Sequence, residues 1–262
     1  MSQIPRYETV VNTLARLIFT GHIAPGTKLP TERALASEMD IDRTSLRLAL
    51  KQLENLGALD IRPGDGIYAR DFMEGAGLDF LKLVFSLEEG EGGGPFEVDA
   101  YTIDEVWEFW CGFFPMMLKN VIGKFSPRDV KRLLDLVDEE MKCVNCPERI
   151  IELNLAQEDL VAAATKNIVF ILFSNVSRPI RKRMLKLFAD QSDPEVLSRH
   201  IELKRVFLEE FLNSPEKMIP LAAAYEDVLM SHLAMMRKRR MNGTGSEKLA
   251  ESFSHDIRET IP

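Results

Sequence analysis

Four stretches of this chain carry side chains whose types and spacing could do chemistry. Arg43-Thr44-Ser45-Leu46-Arg47 offers two guanidinium forks and two hydroxyls within five residues. Arginine can bond two acceptors on a guanine edge at once, and the hydroxyls suit phosphate oxygens or base edges. Cys143-Val144-Asn145-Cys146 is a lone CxxC. Structural zinc needs four ligands and no second pair follows, so it carries no metal site. Arg178, Arg181, Lys182, Arg183 and Lys186 form a basic run. It reads first as a solvated helix face, with the phosphates of a ligand as the alternative contact. Trp107, Phe109, Trp110, Phe113, Phe114, Met116 and Met117 form an aromatic and methionine cluster. Core packing or a dimer face is the plain expectation, and the lining of an apolar cavity the sharper one. No Ser-His-Asp set, phosphate loop or pair of catalytic carboxylates stands out, which argues against an enzyme.

The elements around the first stretch follow from periodicity. Val10, Val11, Leu14, Leu17 and Ile18 share one 3.6-residue face, which predicts a helix over 7–20 ended by Gly21. Thr31 is placed to cap a short second helix, and Asp42 a third over 43–56, with Leu46, Leu50 and Leu53 buried and Gly57 stopping it. The period then changes to two around the turn Arg62-Pro63-Gly64-Asp65-Gly66. Three helices followed by a glycine-tipped hairpin predict a winged helix-turn-helix. In that arrangement the N-terminus of the third helix meets base edges in the major groove.

The rest of the chain reads as helical. Ser126-Pro127, Cys146-Pro147, Asp193-Pro194 and Ser214-Pro215 place proline where a helix starts. Helices are expected near 103–123, 126–142, 147–166, 168–188, 194–213 and 215–241, with Pro115, Pro179 and Pro220 kinking or breaking three of them. A short helix is expected over 78–87, then a Gly/Glu-rich loop over 88–95. The chain has 262 residues, 45% of them hydrophobic, and a net charge of −8. Residues 1–72 hold nine basic and nine acidic side chains, so positive charge must be focused on one surface if nucleic acid is the partner. No signal-like start and no apolar run long enough to span a membrane is present, and the three cysteines show no framework spacing. A reduced, cytoplasmic setting without a membrane partner is expected.

Residues 25–36, 42–47 and 53–57 (PGTKLPTERALA, DRTSLR and LENLG) resemble the winged-helix signature of the GntR family of transcription regulators. The looser pattern of Glu152-Leu153-Asn154, Glu158, Ala162–Asn167, Ser198–Leu203 and Ala224-Tyr225-Glu226 resembles the ligand-binding domain of its FadR subfamily. The resemblance implies DNA contacts by Thr31, Arg33, Arg43, Thr44, Ser45, Arg47 and the wing at Gly64. Asp65 departs from the family wing, since it would repel phosphate. Many members hold a divalent metal through an Asp or Asn, a His one turn later and two more His. The matching positions here are Asn154, Glu158, His200 and Glu226, with one His left, which points to a metal-free pocket and no cofactor. Trp110 stands where members with small-acid effectors carry Arg.

The expected protein is mainly α: a winged helix-turn-helix over 1–71, a linker over 72–102, a helical effector-binding and dimerisation bundle over 103–245 and a tail over 246–262. The implied function is a homodimeric regulator reading a palindromic operator in double-stranded DNA. Its small-molecule effector would sit among Trp110, Asn154, Glu158, His200 and Glu226, a long-chain fatty acyl-coenzyme A being the leading candidate. The alternatives are a metal-binding, small-carboxylate-sensing member and a metal-dependent helical enzyme.

Overall fold

The computed structural model describes residues 6–87, 98, 100–214 and 217–242, in two compact units, Met1–Val98 and Asp99–Pro262. The Gly/Glu-rich segment 88–95 and the tail 246–262 lie outside the described residues.

The first unit opens with α1 (Arg6–Phe19), α2 (Glu32–Glu38) and α3 (Arg43–Asn55). Thr31 caps α2 by accepting from the Ala34 amide at 3.3 Å. Asp42 caps α3, accepting from the Thr44 and Ser45 amides at 3.0 and 2.9 Å. Leu46, Leu50 and Leu53 are fully buried between α3 and its neighbours, each contributing roughly 1.5–3 kcal/mol. Gly57, at φ +78°, ends α3, and a Cβ there would lie 2.2 Å from the Gly75 carbonyl oxygen. Both the left-handed backbone and the close approach demand glycine. β1 (Leu59–Arg62) and β2 (Gly66–Ala69) then pair antiparallel, Leu59 with Ala69 and Arg62 with Gly66. The segment before α2 joins them, with the Leu29 amide bonded to the Ile67 carbonyl at 2.8 Å.

Part of the segment expected as a linker is packed structure. α4 (Phe72–Gly75) and α5 (Leu78–Ser86) follow the hairpin, and α5 packs on α1. The Phe72 ring lies 5.5 Å from the rings of both Phe19 and Phe80. Burying these aromatics outweighs leaving the segment free.

The second unit is a bundle of α6 (Ala100–Asn120), α7 (Pro127–Lys142), α8 (Pro147–Ala164), α9 (Ile168–Gln191), α10 (Pro194–Asn213) and α11 (Met218–Asn242). α6 packs on α11, α8 on α9, and α7 on both α8 and α10. Ser126 and Asp129 form a reciprocal capping box at the start of α7. Of the kink or break expected at three prolines, the structure shows no break. α6 runs on through Pro115 and α9 through Pro179, because the surrounding packing holds each helix across its one missing donor. Pro220 falls in the first turn of α11, where its lost N–H has no intrahelical acceptor anyway.

Candidate nucleic-acid interface and buried cavity

The start of α3 is an exposed face. Arg43, Thr44 and Arg47 point to solvent, Ser45 is half-buried, and Leu46 on the opposite side anchors the helix. Thr31 and Arg33 are exposed at the neighbouring start of α2. Among the described residues neither Arg33 nor Arg43 makes an ion pair. Arg47 does: its Nε donates to Glu32 across the two helices at 2.8 Å. The geometry therefore divides the two arginines treated alike in the sequence. Arg43 is available, and Arg47 must share its fork with Glu32.

The wing resolves the problem of Asp65. Its carboxylate accepts from Lys28 Nζ at 3.2 Å and from the Tyr68 hydroxyl at 3.0 Å. Those two hydrogen bonds hold its pKa below the usual carboxylate value. The Arg62 guanidinium lies over the Tyr68 ring, 4.4 Å from its centroid. The negative charge is thus countered by Lys28 from the segment that joins the hairpin. Gly64, at φ +77° with open space around it, forms the tip.

The bundle holds a partly open cavity of about 120 Å³ lined mainly by apolar groups, among them Trp107, Trp110, Phe114, Met184, Phe188 and Leu229. Trp110, Asn154, Glu158 and His200 all line it. Glu226 does not: it is half-exposed, 3.7 Å from Lys119. α11 presents Ala222, Tyr225, Leu229 and His232 to the cavity instead, a spacing of three and four that turns position 226 away.

One buried ionic group, at Lys204, lines this space, and a second, at Arg181, stands behind Glu158. Lys204 donates to both carboxylate oxygens of Glu140, at 2.8 and 2.6 Å, and to the side-chain oxygens of Asn154 and Gln157, at 3.0 and 3.2 Å. The Asn154 and Gln157 amides also donate to Glu140, which closes the network. Arg181, 1% exposed, donates to Glu158, to Asp159 at 2.8 Å and to the Ser174 carbonyl at 2.8 Å. Its guanidinium lies 5.1 Å from the Trp110 ring, whose N–H donates to Glu158 at 3.0 Å. The basic run on α9 is therefore not one solvated face. Arg181 shares a stripe with the buried Ser177, Met184 and Phe188. Burial pushes the Glu158 carboxyl up, while Arg181 and the Trp110 N–H favour its charged form.

His200 and His232 meet edge to face with ring centroids 4.8 Å apart. Burial, then the charge of its neighbour His232, holds His200 well below the ordinary histidine value. Burial lowers His232 to about 4. His200 Nδ1 is buried without a hydrogen-bond partner. The donor set expected for a metal does not fit one: Glu158 is bonded to Arg181 and Trp110, Asn154 to Lys204 and Glu140, and Glu226 lies outside. Among the described residues no cluster of three or more His, Cys, Asp or Glu could hold a metal ion. Cys111 is buried, which pushes its thiol up to about 12.

Glu140, Gln157, Lys204 and His232 were not singled out in the sequence, and Arg181 stood out only as one of a basic run. Their register could have done so, as each falls on an otherwise apolar stripe.

A three-helix core, a hairpin and an exposed, capped third helix define a winged helix-turn-helix of the DNA-binding class. Residues 6–69 match the family described as bacterial regulatory proteins, gntR family. The HTH-type transcriptional regulator Mce2R of Mycobacterium tuberculosis (strain CDC 1551 / Oshkosh) is 42% identical over 142 residues, 54% of each chain. The alignment thus spans about half the length of that relative. The fatty acid metabolism regulator protein of Shewanella denitrificans is 24% identical over 197 residues, 74% of this chain and 78% of that one. The solved structure of Lar, which controls expression of the Listeria monocytogenes agr system, has a TM-score of 0.56 at 14% identity. It covers 91% of this chain and 99% of that one, a likeness of fold alone. The family and these relatives are regulators rather than enzymes. Among the described residues no helix is long and apolar enough to cross a membrane.

Proposed function

We propose that the chain is a cytoplasmic transcription regulator that binds a palindromic operator as a homodimer and is controlled by a ligand in the bundle cavity. The observation that carries the DNA-binding half is the exposed, capped start of α3, with Arg43 and Thr44 presented together. A symmetric dimer reads a symmetric site with half-sites spaced by the helical repeat.

The cavity supports an apolar effector over a small acid. The lysine that lines it, Lys204, is matched by Glu140, and Arg181, behind the lining residue Glu158, is matched by Glu158 and Asp159. An entering carboxylate would meet no spare positive charge and would have to break one of these pairs. A fatty acyl chain, carried as its coenzyme A ester, meets Trp, Phe, Met and Leu instead, at about 0.8 kcal/mol per buried methylene. A cavity of about 120 Å³ is smaller than the few hundred Å³ that a large ligand fills. A long chain fits if the helices part around it or if it runs out through the open side, and a ligand that favours a parted bundle shifts the protein toward that state. The relatives named fatty acid metabolism regulators are consistent with this class.

The test selects the operator from random duplexes, then titrates the complex with coenzyme A esters of increasing chain length and with small dicarboxylic and sugar acids. Release that strengthens with chain length is expected. Release by a small acid alone would discard the acyl effector, and failure to enrich any duplex would discard the regulator.

A further inference from the structure

One face of the second unit is apolar and uncovered. Phe109 and Met116 on α6, and Ile168, Val169 and Leu172 on α9, are between 43% and 70% exposed. They form one patch, because Phe113 and Phe173 join the two helices with ring centroids 4.6 Å apart and Phe109 stacks on Phe113 at 5.4 Å. Contiguous exposed apolar groups of this kind mark an interaction surface.

The charges on α6 say what covers it. Its exposed stripe runs Tyr101, Glu105, Glu108, Gly112, Met116, Lys119. Gly112 is central and faces open space, with no atom within 4 Å of a Cβ built there. Glu105 and Lys119 stand seven residues either side of it, which is about two helical turns, so all three share a face. When two copies of α6 pack antiparallel about a two-fold axis at Gly112, Glu105 of one copy lies opposite Lys119 of the other, twice. The glycine lets the helices approach, and the apolar groups of α9 flank the crossing. Such a surface is self-complementary, as a two-fold interface must be. Glu108 is held by Arg237 at 3.0 Å and Lys119 lies 3.7 Å from Glu226, an ion pair too long for a hydrogen bond, whereas Glu105 has no ion-pair partner among the described residues. At the crossing Lys119 is therefore shared between its own Glu226 and Glu105 of the other copy.

We propose that this face is where two copies of the chain associate, through an antiparallel α6 pair centred on Gly112. The proposal supplies a surface and a register for the dimer, and association is measured without DNA or effector, so it stands or falls apart from them.

Sedimentation of the full chain tests the surface. The wild type is expected to be a dimer. Met116→Glu and Leu172→Glu, both exposed positions, should weaken it at least tenfold with unchanged helical content. Glu105→Lys and Lys119→Glu should each weaken it, and the double reversal should restore it. In a Cys143→Ser, Cys146→Ser background, Gly112→Cys should form an intermolecular disulfide on oxidation, while Glu105→Cys should do so only together with Lys119→Cys. A monomeric wild type, or a dimer indifferent to M116E and L172E that G112C fails to cross-link, would overturn the proposal. Loss on both charge reversals without rescue in the double variant would overturn the register.

Discussion

Arg43 and Arg181 are the same residue in opposite situations. Arg43 stands exposed at the start of α3 without an ion pair among the described residues, its helix held by the cap and the leucines behind it. Arg181 is buried on α9 and bonded to Glu158, Asp159 and Ser174. The first is free to meet a partner and contributes little to the fold. The second is committed to the fold and has little left for a ligand. Where a charge is spent thus separates a surface built for recognition from a cavity built to accept apolar groups. Variants of each kind can break that contrast.

The largest effect is expected from stranding a buried charge. Arg181→Met leaves Glu158 without its cation, and Lys204→Met does the same to Glu140. Each should destabilise the bundle by roughly 3–5 kcal/mol. Arg181→Met combined with Glu158→Gln should recover most of the loss, because no charge is then stranded. The chain's two tryptophans, Trp107 and Trp110, both lie in the bundle, so their fluorescence during urea unfolding reports this unit. A loss below 1 kcal/mol in both single variants would show that these charges are not committed to the fold.

The histidine pair comes next. His200 and His232 are held neutral by burial, His232 down to about 4. Unfolded histidine binds its proton near 6.5. As pH falls below that value the unfolded chain gains protons that the folded chain refuses, so stability falls with pH until the folded values are reached. Each histidine should contribute a slope of roughly 1.4 kcal/mol per pH unit inside that window. Glu158, pushed up by burial, runs the other way near its own titration, so the difference between wild type and variant is the quantity to measure. His232→Leu should remove about half of the slope between pH 6.5 and 5. An unchanged slope would mean that the ring is protonated in the folded bundle.

On the surface the expected effects are smaller and touch binding rather than folding. Arg43→Ala should reduce discrimination between the operator and a scrambled duplex by roughly 1–3 kcal/mol, the value of one good base contact. Arg47→Ala should lose less, since Glu32 already competes for its fork. Anisotropy against both duplexes measures this. Equal losses from the two variants would show that the Arg47–Glu32 pair opens on binding.

The winged-helix unit was legible in the sequence because its signals are local. Asp42 caps the helix that begins one residue later, the leucines recur at three and four, and Gly57 ends the pattern where no other residue fits. The cavity was legible only in part. Trp110, Asn154, Glu158 and His200 were found through resemblance, but resemblance aligned Glu226 one step off the face that α11 turns inward. The basic run on α9 hid Arg181, since composition does not reveal which of five cations faces the core. Periodicity does: Ser177, Arg181, Met184 and Phe188 recur at four, three and four. Glu140 likewise continues the stripe of Val130, Leu133 and Val137 on α7. What no periodicity supplies is the pairing, because Lys204 reaches Glu140 from 64 residues away.

The smallest effect is expected at the wing, where the contrast between free and committed charge can be shifted by one atom. Asp65 engages Lys28 and Tyr68, so Lys28 is partly withheld from a phosphate. Asp65→Asn keeps the shape and removes the charge that competes for Lys28. One further phosphate contact should then form, and the slope of log affinity against log salt should steepen by about 0.9. Sequence preference should not change, because phosphate contacts position the protein without reading bases. Affinity for operator and scrambled duplex should therefore rise together at low salt. An unchanged slope would mean that the hairpin stays off the backbone and that the exposed face of α3 acts without it. A gain confined to the operator would instead place Lys28 against a base edge.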